Sequence, residues 1–216
     1  MQHLLPGISE TPPASFENFV VGRNAHAIAA LRHLGQDDQP CIYLWGPAGC
    51  GRTHLARAWA SCVVDARLDR TLDTPEPLIA LIHVEALNDA GQIDLFNRYN
   101  AAREGGPPLL VTGDLPPAQL GLREDVKSRL GWSLVFELHP LTDDERRAAL
   151  VQHALARGMK FDAPLLEYLL THTRRDMPSL MRLLDALDLA SLTQKRPLTL
   201  PFVRDTLQRL QNPELI

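Results

Sequence analysis

A glycine-rich segment in the first quarter of the chain has the residue types and the spacing to bind phosphate. Its members, in one unbroken stretch, are Gly46, Pro47, Ala48, Gly49, Cys50, Gly51, Arg52 and Thr53. This is the spacing of the P-loop motif GxxxxGK[ST], with arginine in the lysine position. In such a loop, backbone N–H groups surround phosphate oxygens, the cation contacts the outer phosphates and the hydroxyl reaches a magnesium ion. The segment therefore predicts a nucleotide-binding site, with a glycine-rich turn that binds nothing as the alternative.

Two departures from the usual pattern predict that nucleotide binding is retained better than hydrolysis. Arg52 keeps the positive charge but places a broad planar guanidinium where a compact ammonium normally lies. The acidic pair that would hold magnesium at the end of a neighbouring strand is replaced by Ile82 and His83. Glu85 comes after this register and is expected to be solvated, with substitution for the missing acidic pair as the alternative. We therefore expect ADP, with ATP as the alternative, weak or absent Mg²⁺ binding, and no metal site formed by side chains.

The elements around this loop alternate between short apolar runs and helix-like segments. The runs typical of buried parallel strands are Cys41–Trp45, Leu78–Val84, Leu109–Thr112 and Leu134–Leu138. Cys62–Asp65 is a further β-like run, and it leaves the edge of the sheet as the least defined part of the fold. Since parallel strands are joined by crossover helices, the pattern predicts an α/β parallel sheet with helices on both faces.

The chain divides into three predicted parts. Residues 1–15 are rich in proline, glycine and hydroxyl residues and are expected to form a flexible tail, residues 16–140 the nucleotide-binding body, and residues 141–216 a small helical lid. A capping box over Thr142–Glu145 begins the first lid helix. Its apolar stripe is predicted to consist of Ala148, Val151, Ala154 and Leu155.

Composition excludes several classes of protein. The formal net charge of -4 lacks the basic excess of a stand-alone DNA-binding protein, so no strong direct DNA binding is expected. The 3 cysteines form no CxxC pair, and no apolar run is long enough to span a bilayer. We expect a cytoplasmic protein without a membrane partner.

Four motifs in this order resemble the Hda family, the regulatory inactivators of the replication initiator DnaA. They are Gly46–Thr53, residues 109–117, Ser128–Trp132 and Pro201–Val203. The resemblance runs from about Phe16 to the C-terminus and implies an AAA+ body with a helical lid. It also implies a role: an ADP-bound protein that joins the DNA sliding clamp, the DNA polymerase III beta subunit, and promotes hydrolysis of the ATP held by DnaA. Re-initiation of chromosomal replication is thereby prevented.

The resemblance also assigns residues. Arg129 falls at the arginine finger, a catalytic residue offered in trans, although an exposed arginine on an amphipathic helix is the alternative. Thr112 and Asp114 fall at the sensor-like end of a strand that reads the nucleotide. The residues that resemble a clamp-binding peptide are Gln2, Leu4, Leu5 and Pro6. Pro178 replaces the arginine that such lids usually direct at the nucleotide.

Two other functions are compatible with parts of the pattern. An autonomous AAA+ ATPase, such as a DnaC-like helicase loader, would share the fold but would need the missing acidic pair. A small-molecule P-loop kinase would need a catalytic aspartate that the sequence does not offer. A homodimer is a further expectation that the sequence leaves open.

Overall fold

Five parallel strands form the centre of the first part of the structure, a computed structural model that describes residues 13–36, 39–72, 79–156, 158–159, 162–172 and 177–211. The strands are β1 (Cys41–Trp45), β2 (Cys62–Asp65), β3 (Ile79–Ile82), β4 (Leu109–Gly113) and β5 (Leu134–Glu137). Their order across the sheet is β2-β3-β4-β1-β5, and all neighbours are parallel. The predicted α/β parallel sheet is confirmed, and the β-like run at Cys62 forms one of its edges.

Helices cover both faces of this sheet. They are α1 (Ala25–His33), α2 (Arg52–Trp59), α3 (Asp89–Arg103) and α4 (Glu124–Gly131). Side chains of β1 alternate between two apolar clusters: Tyr43 belongs to the one that includes Leu95 of α3, and Leu44 to the one that includes Leu55 of α2. Because both faces are buried, the strands consist of continuous apolar runs instead of alternating ones.

The strand register brings the loops at the carboxyl ends of β1, β3 and β4 together. Trp45 pairs with Gly113, so the phosphate loop begins beside Asp114. Leu81 pairs with Val111, so the residue two positions after Leu81 lies near Gly113. In open α/β sheets, ligands bind at this edge, where strand order reverses.

The chain divides into two compact units, Pro13–Leu141 and a second unit that begins at Thr142. The second unit contains α5 (Asp143–Ala156), α6 (Ala163–His172), α7 (Met177–Gln194) and α8 (Leu200–Gln211). Its core includes Leu150, Leu165, Leu184 and Phe202. None of the helices among the described residues is both long and apolar enough to cross a membrane.

The start of α5 has the predicted capping box. The Thr142 N–H donates to Glu145 Oε2 at 2.7 Å, and the Glu145 N–H donates to Thr142 Oγ1 at 3.2 Å. The predicted apolar stripe was correct for Ala154, which is buried, but wrong for Val151 and Leu155, which are 36% and 68% exposed; Leu150 is buried instead. The buried side of the helix is therefore displaced by one residue from the predicted stripe.

Candidate functional site

The phosphate loop connects the end of β1 to the start of α2. Gly51 is the N-cap of α2 and has φ 104, a left-handed conformation that favours glycine. A Cβ atom at Gly51 would lie 2.5 Å from Cε2 of Phe19, so the position has no room for a side chain. The cap makes no side-chain hydrogen bond, and first-turn amides have no intrahelical partner. These amides are therefore available to an anion at the helix N-terminus.

Arg52 is buried in the loop, with 8% of its surface exposed. Its Nη1 forms an ion pair with Asp114, yet the same nitrogen has no hydrogen-bond partner. The two atoms are thus close enough for charge attraction but are not aligned for a hydrogen bond. A buried N–H without an acceptor is costly. A phosphate oxygen in the loop would satisfy it, so the residues present fit a nucleotide phosphate.

The remaining loop residues differ in exposure. Pro47, Ala48 and Gly49 are exposed, Thr53 is half-buried, and Cys50 is buried. Burial raises the pKa of the Cys50 thiol above its usual range. The thiol therefore stays protonated and uncharged in the loop, and it is not a nucleophile.

The end of β4 adds polar groups beside the loop. Thr112 is 2% exposed, and the Asp114 side chain, 55% exposed, carries the carboxylate that contacts Arg52. Glu85 is exposed, as the sequence predicted, with 31% of its side chain accessible; the sequence did not predict that its Oε2 accepts the N–H of Asp114 at 3.4 Å. The 3₁₀ turn Val84–Ala86 carries Glu85 back over the strand ends.

Tyr43 fixes the turn after β4. Its hydroxyl donates to the Leu115 carbonyl at 2.6 Å, and burial, with the nearby Glu85 carboxylate as the second cause, raises its pKa well above its usual range. The phenol therefore stays protonated, and its hydrogen bond connects β1 to the segment that carries Asp114.

Arg129 lies on α4, at a different place from the phosphate loop. Its guanidinium carbon lies 4.9 Å from the ring centroid of Phe96 and 4.7 Å from that of Trp132. Its Nε donates to Asn100 Oδ1 at 3.2 Å. Within the described ranges, no carboxylate pairs with it and its two terminal nitrogens have no hydrogen-bond acceptor. The group is held through its faces and Nε, and its fork is available to an anion.

The other two cations in this segment are already neutralised. Arg123 makes two hydrogen bonds to Asp125, at 3.1 and 2.8 Å, and this carboxylate raises the pKa of Arg123. Lys127 forms an ion pair with Glu124 at 2.6 Å. Arg129 therefore differs from its neighbours in having no acidic partner among the residues that the structure describes.

Sequence reasoning missed the residues that hold Arg129. Phe96 and Asn100 are four positions apart on α3, so they lie on one side of that helix. An aromatic residue and an amide at helical spacing were the available signal. The four tail residues Gln2, Leu4, Leu5 and Pro6 lie outside the described part of the chain.

Comparisons with known proteins found a family model that matches part of the second unit and solved structures that share the fold of most of the chain. Residues 143–207 match the family model described as the Hda lid domain. Domain III of the replication initiation protein DnaA from Thermotoga maritima is similar in structure, with a TM-score of 0.68 and 18% identity, covering 91% of this chain and 96% of that chain.

Two other solved structures are similar at the same level. AMPPCP-bound DnaA from Aquifex aeolicus has a TM-score of 0.65 and 19% identity, covering 96% of this chain and 71% of that one. The RuvB Holliday junction branch migration motor of Thermotoga maritima has a TM-score of 0.63 and 19% identity, covering 91% and 72%. At these identities the structures establish the AAA+ fold, and the lid match makes the relation to Hda more specific. Residues 143–207 therefore resemble the Hda lid domain, and the chain shares the fold of DnaA domain III.

Proposed function

We propose that this protein is a regulator of chromosomal replication initiation that promotes hydrolysis of the ATP bound by DnaA, together with the DNA sliding clamp. It does so by supplying Arg129 to the nucleotide of the neighbouring DnaA molecule. The chain's own nucleotide has a structural part in this reaction. Re-initiation is prevented because DnaA is left in its ADP-bound form.

The observation that carries this proposal is the environment of Arg129. A guanidinium offered in trans stabilises charge on the transferring phosphoryl group, an effect of roughly 10³–10⁵ in rate. Such a group needs a fixed orientation and terminal nitrogens without an internal acid. Arg129 has both features, because Asn100 and two aromatic rings hold it and no carboxylate pairs with it in the described part of the chain.

The phosphate loop supports a bound nucleotide, and we propose ADP with little dependence on Mg²⁺. The loop amides and the Arg52 guanidinium supply charge for the phosphates, while the strand end after Ile82 carries no acidic pair. Arg52 must exchange its contact with Asp114 for a phosphate oxygen. Thr53, Thr112 and Asp114 are the polar side chains that we propose line the phosphate end of this site.

The test replaces Arg129 and measures hydrolysis of DnaA-bound ATP in the presence of the loaded clamp. Arg129→Ala should lower the stimulated rate by roughly 10³ or more and leave ADP binding unchanged. Arg129→Lys should restore little, because a lysine lacks the planar fork. The matched control is Arg123→Ala, which removes a guanidinium already paired with Asp125 and should leave the rate within a factor of about two.

Three outcomes would contradict the assignment. Full stimulation of DnaA by the Arg129→Ala variant would show that Arg129 is not the arginine finger. An effect of Arg123→Ala as large as that of Arg129→Ala would assign the defect to the segment as a whole. Loss of the protein's own ATP turnover in Arg129→Ala, with no effect on DnaA, would favour an autonomous ATPase.

Clamp recruitment is proposed for the tail residues Gln2, Leu4, Leu5 and Pro6, which have the glutamine and apolar residues of an extended peptide that docks in a hydrophobic groove. Replacing Gln2 and Leu5 together by alanine should abolish clamp binding in a pull-down without changing the melting temperature. Unchanged clamp binding would require another recruiting surface.

A further inference from the structure

Three potential metal ligands converge at the carboxyl ends of β3 and β4. His83, Glu85 and Asp114 each offer one ligand atom, and these atoms all lie within 4.8 Å of one another. His83 and Glu85 follow β3, whereas Asp114 follows β4. The cluster unites two separate loops and includes an imidazole, so it is chemically different from a group of surface acids.

The distance between His83 and Glu85 matches that between two ligands of one metal ion. His83 Nδ1 lies 3.5 Å from Glu85 Oε1, at the long limit of a hydrogen bond. Two ligand atoms about 2.1 Å from a tetrahedral metal ion are ~3.4 Å apart. The imidazole and the carboxylate therefore already have the separation of adjacent ligands.

Backbone features bring these side chains together. His83 has φ 60 and ψ 49, a left-handed conformation uncommon for a residue with a side chain, and it begins the turn that returns Glu85 to the sheet. Gly113 lies opposite: a Cβ there would collide with the Tyr43 hydroxyl and would lie 3.1 Å from Glu85 Oε2. The carboxylate of Glu85 thus occupies space that only glycine leaves open.

The surrounding charges favour a cation. Asp65 is also near His83, but both of its oxygens accept hydrogen bonds from Arg67, at 3.0 and 2.7 Å. Glu85 and Asp114 interact with two guanidiniums, those of Arg52 and Arg67. Counting Asp65, three carboxylates face two guanidiniums, which leaves one negative charge. A carboxylate has two oxygens, so Asp114 can keep Arg52 on one and bind an ion through the other.

We propose that His83, Glu85 and Asp114 form a binding site for a divalent transition-metal ion, with zinc as the best-fitting class. Imidazole suits Zn²⁺ and its first-row neighbours, whereas Mg²⁺ prefers an octahedron of oxygens with several waters. The site does not depend on the function proposed above, because its ligands come from this chain and need neither nucleotide nor DnaA.

The experiment titrates the nucleotide-free, full-length protein with ZnCl₂ and with MgCl₂ by calorimetry, and with CoCl₂ by visible absorption. One equivalent of Zn²⁺ should bind, Mg²⁺ should bind far more weakly, and Co²⁺ should show ligand-field bands of a low-coordinate site. His83→Asn removes the imidazole but suits a left-handed backbone, so the fold should be kept. It should weaken Zn²⁺ binding by at least about 100-fold, since even second-shell changes cost 10–100-fold.

Two further variants complete the design. Glu85→Gln keeps an oxygen that can accept the Asp114 N–H, loses the negative charge, and should weaken Zn²⁺ by a similar factor. His33→Asn, at an exposed histidine at the end of α1, is the matched control and should bind Zn²⁺ normally. Absence of one-equivalent Zn²⁺ binding, unchanged affinity in both His83→Asn and Glu85→Gln, or Mg²⁺ binding as tight as Zn²⁺ would each overturn the proposal.

Discussion

The orientation of Arg129 can be tested through a residue that would not itself touch the nucleotide. Asn100 accepts one hydrogen bond from Arg129 Nε. Two replacements of Asn100 separate the effect of this hydrogen bond from the effect of the charge on Arg129. Asn100→Ala removes the bond and leaves the charge of Arg129 unpaired. Asn100→Asp keeps an acceptor at the same place but pairs the guanidinium with a carboxylate, as Asp125 already does for Arg123.

The expected losses in the stimulated rate can be estimated from the contacts of Arg129. A hydrogen bond to a charged group contributes about 1.5–3 kcal/mol, and the lower end applies here because the bond is 3.2 Å long and only partly buried. If all of this energy orients Arg129 in the transition state, Asn100→Ala lowers the stimulated rate about 10-fold. Trp132→Leu removes a cation–π contact worth about 0.5–1 kcal/mol at an exposed site, hence about 2- to 5-fold. Asn100→Asp should resemble Arg129→Ala more than Asn100→Ala.

The assay is single-turnover hydrolysis of radiolabelled ATP bound to DnaA, with saturating loaded clamp and each variant in turn. The predicted order of remaining activity is wild type, Trp132→Leu, Asn100→Ala, Asn100→Asp and Arg129→Ala. An Asn100→Asp variant more active than Asn100→Ala would refute the reasoning, because neutralising the guanidinium would then improve its function. Melting temperatures serve as the control for folding.

Three further predictions concern the loop, the lid and the core. Gly51→Val should abolish ADP binding in a calorimetric titration, because a β-branched residue does not fit φ 104 or the contact with Phe19, and wild-type affinity would contradict this. Thr142→Ala should lower the unfolding free energy by about 1 kcal/mol in thermal or urea melts, since it removes the Oγ1 that accepts the Glu145 N–H while the backbone N–H of residue 142 is kept; an unchanged melt would argue against the cap. Burial raises the pKa of Cys41 from 9.0 to about 12, so the unfolded thiol ionises first and stability should fall as pH rises between these values. The slope reaches about 1.4 kcal/mol per pH unit, and Cys41→Ala should make it shallower in urea unfolding across that range.

Much of the fold could be predicted because local patterns and tertiary structure agree. The apolar runs at Cys41–Trp45 and Leu109 are strands that the sheet buries on both faces. The capping box at Thr142 is a local device, satisfied within one helical turn, and it forms as expected. Such signals depend on few distant contacts, so one sequence suffices to identify them.

The features that the sequence did not predict depend on contacts between distant segments. Glu85 is exposed as expected, but the left-handed turn at His83 also brings its carboxylate to the N–H of Asp114, a contact that the sequence did not predict. The buried face of α5 is determined by its packing on other helices, which placed Leu150 inside and Leu155 outside. Phe96 and Asn100 are far from Arg129 in sequence, so their role appears only once α3 and α4 are packed together.

Trp132 gives the region around Arg129 its own fluorophore. It is 63% exposed, whereas the chain's other two tryptophans, Trp45 and Trp59, pack against the apolar clusters of the sheet. Its indole also lies beside the guanidinium of Arg129, so its emission depends on that contact and on the polarity around it. A change in quenching by added iodide on mixing with a partner would therefore report, without any label, whether this part of the surface becomes covered.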